Sequence, residues 1–385
     1  MAEVKSRSWR IFCGWLVTPI EEIQDVLLEV EDGVISAVHL GAEKPEGAFI
    51  DASDQMVTPG FVDIHVHGGA GYDVVDGTYD AINAISVHLS RHGVTSFLPT
   101  VVTCPWPKMA HAVMAVKEAM DRGTDGARVL GAHVEGPFLS PEYKGAQPPD
   151  YIRTPSVQEI EDYLGDYLSC IRIMTVAPEL PGADAVISYL VSKGIVVSIG
   201  HTGATYGEVQ KAVEIGATNS THTYNGMRGL HHREPGVVGA IMSDDRIFGE
   251  LIWDNLHVHP GAAKVLVKAK GPGKVILVSD AMRAAGLPDG EYDLAGQTVH
   301  VVQGNARLGD GTIAGSTVTL DQAVRNAVEH VGLTAAVRMA TLTPAQSIGA
   351  AIRVGSIEVG MSADLVVLDH ELRVSRVFIG GEAIY

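Results

Sequence analysis

The chain has 385 residues, of which 46% are hydrophobic and 19% are charged, so it can bury a full core and long disorder is excluded. Acidic residues outnumber basic ones by 46 to 28, and the net charge of −18 disfavours nucleic acid and anionic membranes as partners. The three cysteines share no CxxC spacing, and no stretch has the apolar run of a signal peptide or membrane helix. We therefore expect a soluble, cytoplasmic protein.

The two ends of the chain predict β-strands. At the N-terminal end the strand-like runs are Arg10–Val17, Asp25–Glu31 and Val34–Leu40, with a two-residue hairpin signal at Asp32-Gly33. At the C-terminal end they are Asp364–Asp369 and Val374–Ile379, followed by a Gly380-Gly381 turn. Neither end has enough strands to bury a face alone, so we expect both ends to pair into one small β-sandwich.

The middle of the chain alternates buried strands with helical patterns such as Tyr79–Arg91 and Tyr206–Ile215. The predicted strands are Met56–Ile64, Val94–Thr100, Arg128–Val134, Ile171–Val176, Ile195–Gly200, Ala217–Thr221, Ile247–Trp253 and Lys274–Ser279. Eight such strands indicate an α/β fold, a (β/α)₈ TIM-like barrel, followed by a β-hairpin insertion at Tyr292–Ile313. The predicted domains are 1–57 and 353–385 for the sandwich and 58–352 for the barrel.

Residues of the kind that bind metals follow several of these strands. His65 and His67 end the first strand, and the others are Glu135 after the third, His201 after the fifth, His222 after the sixth and Asp280 after the eighth. In a barrel all six lie at the C-terminal mouth, where such enzymes place their active sites. An HxH pair or a lone carboxylate is more often structural, but the joint pattern predicts a site for zinc, iron or another divalent metal.

The same positions resemble the amidohydrolase superfamily. The segments VEGPFLSPEYKGA, GHTGAT, THTYNGM with REPG, DNLHVHP and VSDAM are similar to the N-acetylglucosamine-6-phosphate deacetylase family, over essentially the whole chain. The resemblance implies that Glu135, His201 and His222 hold one divalent metal, with zinc favoured over iron. It also implies that His65 and His67 hold a second ion bridged by Glu135. Some members of the family use a single ion, so the number of ions stays open.

The resemblance further implies a reaction, the hydrolysis of N-acetylglucosamine 6-phosphate to glucosamine 6-phosphate and acetate in amino-sugar catabolism. A metal lowers the pKa of bound water from about 15.7 to about 7, which supplies the nucleophile that amide hydrolysis needs. Asp280 is then expected to take the proton of that water and return it to the departing amine. His257 resembles the histidine that polarises the acetyl carbonyl oxygen.

Substrate contacts are implied in the same way. Arg233 is the expected partner of the 6-phosphate, because a guanidinium forms a bidentate fork with phosphate. In relatives this loop can reach a neighbouring subunit's site, so we expect a homodimer in which Arg233 serves the neighbouring site. The remaining positions expected to contact substrate are Ala146, Asn225, Gly226, Asp254, His257, Ile313, Ala314 and Gly315.

Three alternatives remain open. The substrate could be N-acetylgalactosamine 6-phosphate, which differs only at C4, and no residue in the sequence decides between the epimers. A cyclic-amide hydrolase or deaminase on the same barrel is disfavoured, because such substrates do not require Arg233 or the EGPFL…KGA segment. A non-catalytic scaffold is disfavoured because the five expected ligands and Asp280 are all present.

Overall fold

The computed structural model describes residues 8–385, so the first seven residues of the predicted 1–57 segment lie outside the described part. Seven strands from the two ends of the chain form one sheet, which we call the terminal sheet. Its strands are Ser8–Val17, Glu22–Glu31, Val34–Leu40, Ile50–Pro59, Leu365–Leu368, Val374–Ile379 and Glu382–Ala383. The predicted association of the two ends is confirmed, because Ile50–Pro59 pairs antiparallel with Leu365–Leu368.

The first hairpin of the terminal sheet has the turn that its sequence predicts. Asp32 and Gly33 have φ angles of 50° and 81°, the left-handed conformation that a two-residue type I′ turn requires. Glu31 and Val34 pair directly across this turn. On one face of the sheet, residues including Ile11, Leu28 and Phe378 form a separate apolar core.

Eight parallel strand positions form the barrel. They are Phe61–Val66, Val94–Val102, Arg128–Val129 with Ala132–Glu135, Ile171–Val176, Val196–Ile199, Asn219–Ser220, Phe248–Ile252 and Val275–Val278. We number them barrel strands 1 to 8. Strands 8 and 1 approach each other at the mouth, where the backbone N–H of Asp280 donates to the carbonyl of His65 at 2.9 Å and that of His67 to the carbonyl of Ala281 at 2.8 Å. The predicted fold class is therefore confirmed.

Two strand predictions were wrong in their extent, and in Arg128–Val134 the interruption falls at residues 130–131. The predicted run Met56–Ile64 is two strands in different sheets, because the terminal-sheet strand ends at Pro59 and barrel strand 1 begins at Phe61. Gly60 lies between them against Thr95, whose hydroxyl oxygen would be only 2.0 Å from a β-carbon at this position. This close approach lets the chain pass from one sheet to the other. The domain boundaries at 57/58 and 352/353 stay predictions.

Helices follow most barrel strands and pack around them. They are Tyr79–Ser90, Trp106–Arg122, Val157–Leu164, Ala183–Ser192, Tyr206–Ile215, Gly236–Ser243, Pro260–Lys270, Leu320–Val331, Leu333–Ala340 and Leu342–Ser347, with short 3₁₀ segments at Val74–Asp76, Pro141–Tyr143, Pro149–Tyr151 and Gly165–Cys170. Thr205 caps the helix Tyr206–Ile215, since its hydroxyl accepts from the N–H of Glu208, whose side chain returns the bond. Within residues 8–385, no helix combines the length and apolar character needed to cross a bilayer.

A small antiparallel sheet covers one side of the barrel mouth, where the sequence predicts a hairpin. Its three strands are Gly290–Leu294, Gln297–Val302 and Asn305–Leu308. Leu294 and Val299 pack against Met282 and Ala314, just beyond barrel strand 8. The amide nitrogen of Gln297 donates to the carbonyl of Ala146 at 2.7 Å. This sheet, which we call the mouth sheet, therefore forms a wall of the cavity described next.

Candidate active site

The six metal-type side chains predicted from the sequence meet at the barrel mouth. Each is 7% exposed or less, and they are His65, His67, Glu135, His201, His222 and Asp280. Barrel geometry explains their meeting, because the carboxyl ends of parallel strands converge at one end of the barrel. Two compact groups can be distinguished by distance, Glu135 with His201 and His222, and His65 with His67 and Asp280.

The carboxylate of Glu135 lies between the two groups. Its Oε1 is 3.1 Å from Nε2 of both His201 and His222, and its Oε2 is 3.2 Å from Nε2 of His67. The side-chain amide of Gln147 donates to Oε2 at 2.6 Å, and its own carbonyl oxygen accepts from a backbone N–H at 2.9 Å. Glu135 is thereby held in one orientation with an oxygen toward each group.

The second group has the same character. Oδ1 of Asp280 is 3.5 Å from Nε2 of His65 and 3.3 Å from Nε2 of His67. The two ring nitrogens are themselves 3.3 Å apart. Asp280 is therefore close enough to share an ion, or a proton, with both imidazoles.

The donor set fits a divalent metal, because all four imidazoles direct Nε2 inward. Each Nδ1 faces a group that can only accept, namely the carbonyls of Thr100, Tyr143 and Asn225 for His67, His201 and His222, and the carboxylate of Glu250 for His65. In the neutral rings Nδ1 thus carries the hydrogen, and Nε2 presents its lone pair. Nε2 of His201 and Nε2 of His222 face each other at 3.1 Å, where two lone pairs repel unless a cation lies between them.

The electrostatics of the cluster also favour a cation. Burial alone would lower the pKa of His65, but the carboxylates of Asp280, Glu135 and Glu250 outweigh burial and raise the pKa to about 9. For Asp280 burial opposes ionisation, yet the neighbouring imidazoles His65 and His67 lower the pKa to about 2. The cluster therefore attracts positive charge, as protons or as a metal ion.

Three of these residues have strained backbones. His201, His222 and Asp280 have φ angles of 48°, 31° and 47°, in the left-handed region that side chains other than glycine seldom adopt. Each lies just past the end of a barrel strand, so the left-handed step redirects the chain at the mouth. Strain of this kind costs about 1–3 kcal/mol per residue and is concentrated at functional sites.

A cavity of about 260 Å³ opens onto the cluster. The predicted substrate-contacting residues that line it are Ala146, Asn225, Gly226, His257, Ile313 and Gly315. Ala314 does not line it, because its side chain is fully buried under the mouth sheet. Arg233 also lies outside the lining and is exposed on the loop before Gly236–Ser243. Among the described residues, no lysine or arginine lines the cavity.

Asp254 supports His257 from behind and does not line the cavity. Its Oδ2 accepts from Nδ1 of His257 at 2.6 Å, and its Oδ1 accepts from the backbone N–H groups of Leu256 and His257 at 2.8 Å each. Burial would raise the pKa of Asp254, but the hydrogen bond and charge of His257, together with the backbone N–H groups of His257 and Leu256, outweigh burial and hold the pKa below its usual value. With Nδ1 engaged in this way, Nε2 of His257 is the ring nitrogen left for substrate.

Two neighbours of the cluster were missed by the sequence interpretation. Glu250 lies inside barrel strand 7, and its carboxylate accepts from His65. A glutamate within an otherwise apolar strand was the available signal. Gln147 follows Ala146 directly, and no feature of the sequence distinguishes it from a loop glutamine. His133, two residues before Glu135, lies edge-on against His65 with ring centroids 4.7 Å apart.

The chain matches a known protein family over most of its length. Residues 56–384 match the family described as "Amidohydrolase family", a region that includes all six clustered side chains. The chain belongs to the amidohydrolase family. The family confirms the resemblance inferred from the sequence motifs, and it accords with a cluster of histidines and carboxylates that suits a divalent metal.

Several characterised proteins are similar to this amidohydrolase along almost its whole length. An N-acetylgalactosamine-6-phosphate deacetylase of Escherichia coli O157:H7 is 40% identical and covers 96% of this chain and 95% of its own. An N-acetylglucosamine-6-phosphate deacetylase of Vibrio furnissii is 39% identical, with 94% and 91% covered. The crystal structure of N-acetyl-D-glucosamine-6-phosphate deacetylase from Mycobacterium smegmatis superposes with a TM-score of 0.92 at 36% identity, covering 98% and 100%.

Proposed function

We propose that this amidohydrolase removes the acetyl group of N-acetylglucosamine 6-phosphate, giving glucosamine 6-phosphate and acetate. The observation that carries the proposal is the cluster of six buried side chains below a cavity of about 260 Å³, within a chain similar to such deacetylases over 94% of its length. That volume is adequate for a monosaccharide, and five of the six clustered side chains line the cavity.

Glu135, His201 and His222 would hold one divalent metal, and His65 and His67 would contribute to a second. Zinc is the favoured ion, because imidazole and carboxylate are its common ligands in hydrolases, and iron is the alternative. A metal bound here supplies the acidification of water and the polarisation of the acetyl carbonyl.

Asp280 and His257 would act on the substrate itself. Asp280 accepts the proton of the attacking water through its carboxylate and then donates it to the amine nitrogen as the C–N bond breaks. His257, as an imidazolium whose Nδ1–H is held by the carboxylate of Asp254, donates its Nε2–H to the acetyl oxygen as negative charge develops there. Both side chains line the cavity.

Recognition of the phosphate would involve a second chain. The exposed Arg233 lies outside its own cavity, whose lining has no lysine or arginine among the described residues. A homodimer that brings the partner's loop to the cavity would supply the missing cation. Gly226, which lines the cavity, would present its backbone N–H to the same phosphate, whereas the N–H of Asn225 donates to the carbonyl of His222 at 2.9 Å. The cytoplasmic location stays a prediction, in accord with three free buried cysteines.

N-acetylgalactosamine 6-phosphate is the second candidate substrate. The E. coli O157:H7 relative, 40% identical, carries that name, and its similarity is as extensive as that of the glucosamine enzymes. The two candidates call for the same cluster and differ only in how the cavity contacts the C4 hydroxyl.

The decisive experiment compares three sugars on the metal-loaded protein. Acetate release would be measured with N-acetylglucosamine 6-phosphate, its galacto epimer and unphosphorylated N-acetylglucosamine. We expect the highest kcat/KM for the gluco 6-phosphate. A preference for the galacto epimer would establish the second candidate, and no turnover of any of the three would refute the proposed substrate class.

A further inference from the structure

Glu250 is a buried carboxylate for which the proposed reaction has no direct use. It lies in barrel strand 7 (Phe248–Ile252) and is 0% exposed. Burying a carboxylate is costly unless its oxygens are hydrogen-bonded. Its Oε1 has no hydrogen-bond partner among residues 8–385, so the cost is only partly offset. A buried group of this kind calls for a functional explanation.

The other oxygen of Glu250 contacts both halves of the cluster. Oε2 accepts from Nδ1 of His65 at 2.9 Å and from the backbone N–H of His222 at 3.1 Å. The first bond places the hydrogen of the neutral His65 ring on Nδ1. Nε2 of His65 then has its lone pair free, 3.5 Å from Oδ1 of Asp280 and 3.6 Å from Oε1 of Glu135.

Glu250 is not a metal ligand in a cluster of its own. One group of side chains close enough together to hold a metal ion consists of His65, His133 and Glu250. However, both nitrogens of His133 are already engaged, Nδ1 with the carbonyl of Ile64 at 3.1 Å and Nε2 with the hydroxyl of Thr175 at 2.9 Å. No imidazole nitrogen is left to share an ion with Glu250.

We propose that Glu250 is a positioning residue that makes His65 a metal ligand and thereby controls occupancy of the second metal position, formed by His65, His67 and Asp280. The inference rests on the proposed metal-dependent function. A carboxylate bonded to the distal nitrogen of a histidine fixes the ring and strengthens the other nitrogen as a donor. In the first group the corresponding partners of His201 and His222 are backbone carbonyls, which no side-chain substitution removes.

The test is the metal content of Glu250→Gln against wild type. The glutamine keeps the shape and can still accept through its carbonyl oxygen, but it lacks the charge. We expect the second ion to bind about 10- to 100-fold more weakly while the first is unchanged. Metal per chain would be measured by mass spectrometry after dialysis against buffered Zn²⁺ over a range of concentrations, with a parallel titration by Co²⁺ absorbance.

Asp63→Asn is the matched control. Asp63 is also 0% exposed with one oxygen lacking a partner among residues 8–385, but its hydrogen bonds come from the backbone N–H groups of His65 and Ser279, at 3.3 Å each, and from the side chain of Ser279. This variant removes a buried carboxylate from barrel strand 1, the strand that carries His65, and it removes no hydrogen bond to an imidazole ring. We expect it to change the melting temperature and to leave the ratio of the two metal affinities as in wild type.

The outcomes separate the inference from the proposed function. A wild-type chain that binds no ion would refute the metal-dependent function itself. Equal second-site affinity in wild type and Glu250→Gln would overturn only the role of Glu250, as would a wild type that binds one ion irrespective of Glu250.

Two further measurements test the link between Glu250 and His65, and the second needs only the wild-type protein. In a His65→Ala background, Glu250→Gln should cause no additional loss of second-ion affinity, because the carboxylate acts through His65. In wild type, ¹⁵N NMR of the histidine rings should show His65 with hydrogen on Nδ1 and metal at Nε2. A hydrogen on Nε2 in the loaded protein would overturn the inference.

Discussion

The floor and the rim of the barrel mouth are built in different ways. On the floor, six side chains are 7% exposed or less and each is held by partners from the same chain. On the rim, Arg233 is exposed and lies away from the cavity it is expected to serve. The groups proposed for bond cleavage thus lie together in one chain, whereas Arg233, the proposed partner of the phosphate, does not line that chain's cavity. Chemistry and substrate recognition should therefore respond to separate mutations.

Asp280→Asn tests the floor and should have the largest effect. Losing a general acid–base group typically costs about 10²–10⁴ in rate, so we expect kcat to fall by that factor. Because the change leaves the rim intact, the preference for phosphorylated over free sugar should persist in the residual activity. Steady-state kinetics with both sugars would check this, and a near-normal kcat would remove Asp280 from the mechanism.

Arg233→Ala tests the rim. We expect kcat/KM for the 6-phosphate to fall by a factor that corresponds to a loss of about 2–5 kcal/mol in transition-state stabilisation. This is the usual cost of removing one member of a desolvated ion pair. Turnover of the unphosphorylated sugar should stay as in wild type. Unchanged discrimination between the two sugars would show that the phosphate is held elsewhere.

Mixing the two variants sharpens the comparison further. If Arg233 serves the neighbouring subunit's cavity, a dimer of one Asp280→Asn chain and one Arg233→Ala chain contains one intact site. Activity on the 6-phosphate should therefore increase when the two impaired proteins exchange subunits. A mixture no more active than its components would place Arg233 in its own chain's site or outside any site.

His257→Ala acts at the boundary between floor and rim. Removing one donor to a developing oxyanion costs about 10²–10³ in kcat, and we expect a loss in that range for both sugars. His259→Ala is the control, because His259 is exposed and its ring caps the helix Pro260–Lys270 by accepting from the N–H of Gly261. The control should retain kcat and lose only about 1 kcal/mol of stability. Equal kcat in both variants would contradict the role of His257.

The smallest effect concerns the three buried cysteines, none of which lines the cavity. Burial raises the pKa of Cys13 and Cys104 to about 12 and that of Cys170 to about 11, and the thiolate is the reactive form. We expect no reaction with a thiol reagent at pH 8 and no change in activity. All three should react after denaturation. Rapid labelling of the native protein would show that the barrel wall opens.

The barrel and the floor could be predicted from the sequence because both depend on local patterns. Apolar runs identified the strands, and residue type at each strand end identified His201 or Asp280. The break at Gly60 was not predictable, since it depends on contact with Thr95, a residue 35 positions away. The orientation of each imidazole was equally hidden, because its partners, such as the carbonyls of Tyr143 and Asn225, are backbone groups placed by loops.

Glu250 and Arg233 illustrate two kinds of contact that the sequence alone does not reveal. Glu250 appeared only as an unexplained charge in an apolar strand, and its contact with His65 joins residues 185 positions apart. Arg233 was assigned from a motif, and its proposed contribution would require a second chain, which one sequence cannot place. The role of Glu250 could be inferred only from a tertiary contact, and the proposed role of Arg233 requires a contact between subunits.

The most direct test of the central claim is a metal titration of chelated protein, with acetate release from N-acetylglucosamine 6-phosphate as the readout. The account predicts no turnover without metal and restoration as Zn²⁺ fills the cluster, with saturation at one or two ions per chain. Full turnover in the chelated protein, or metal bound stoichiometrically without any turnover, would contradict the claim that this cluster is a metal-dependent deacetylase centre.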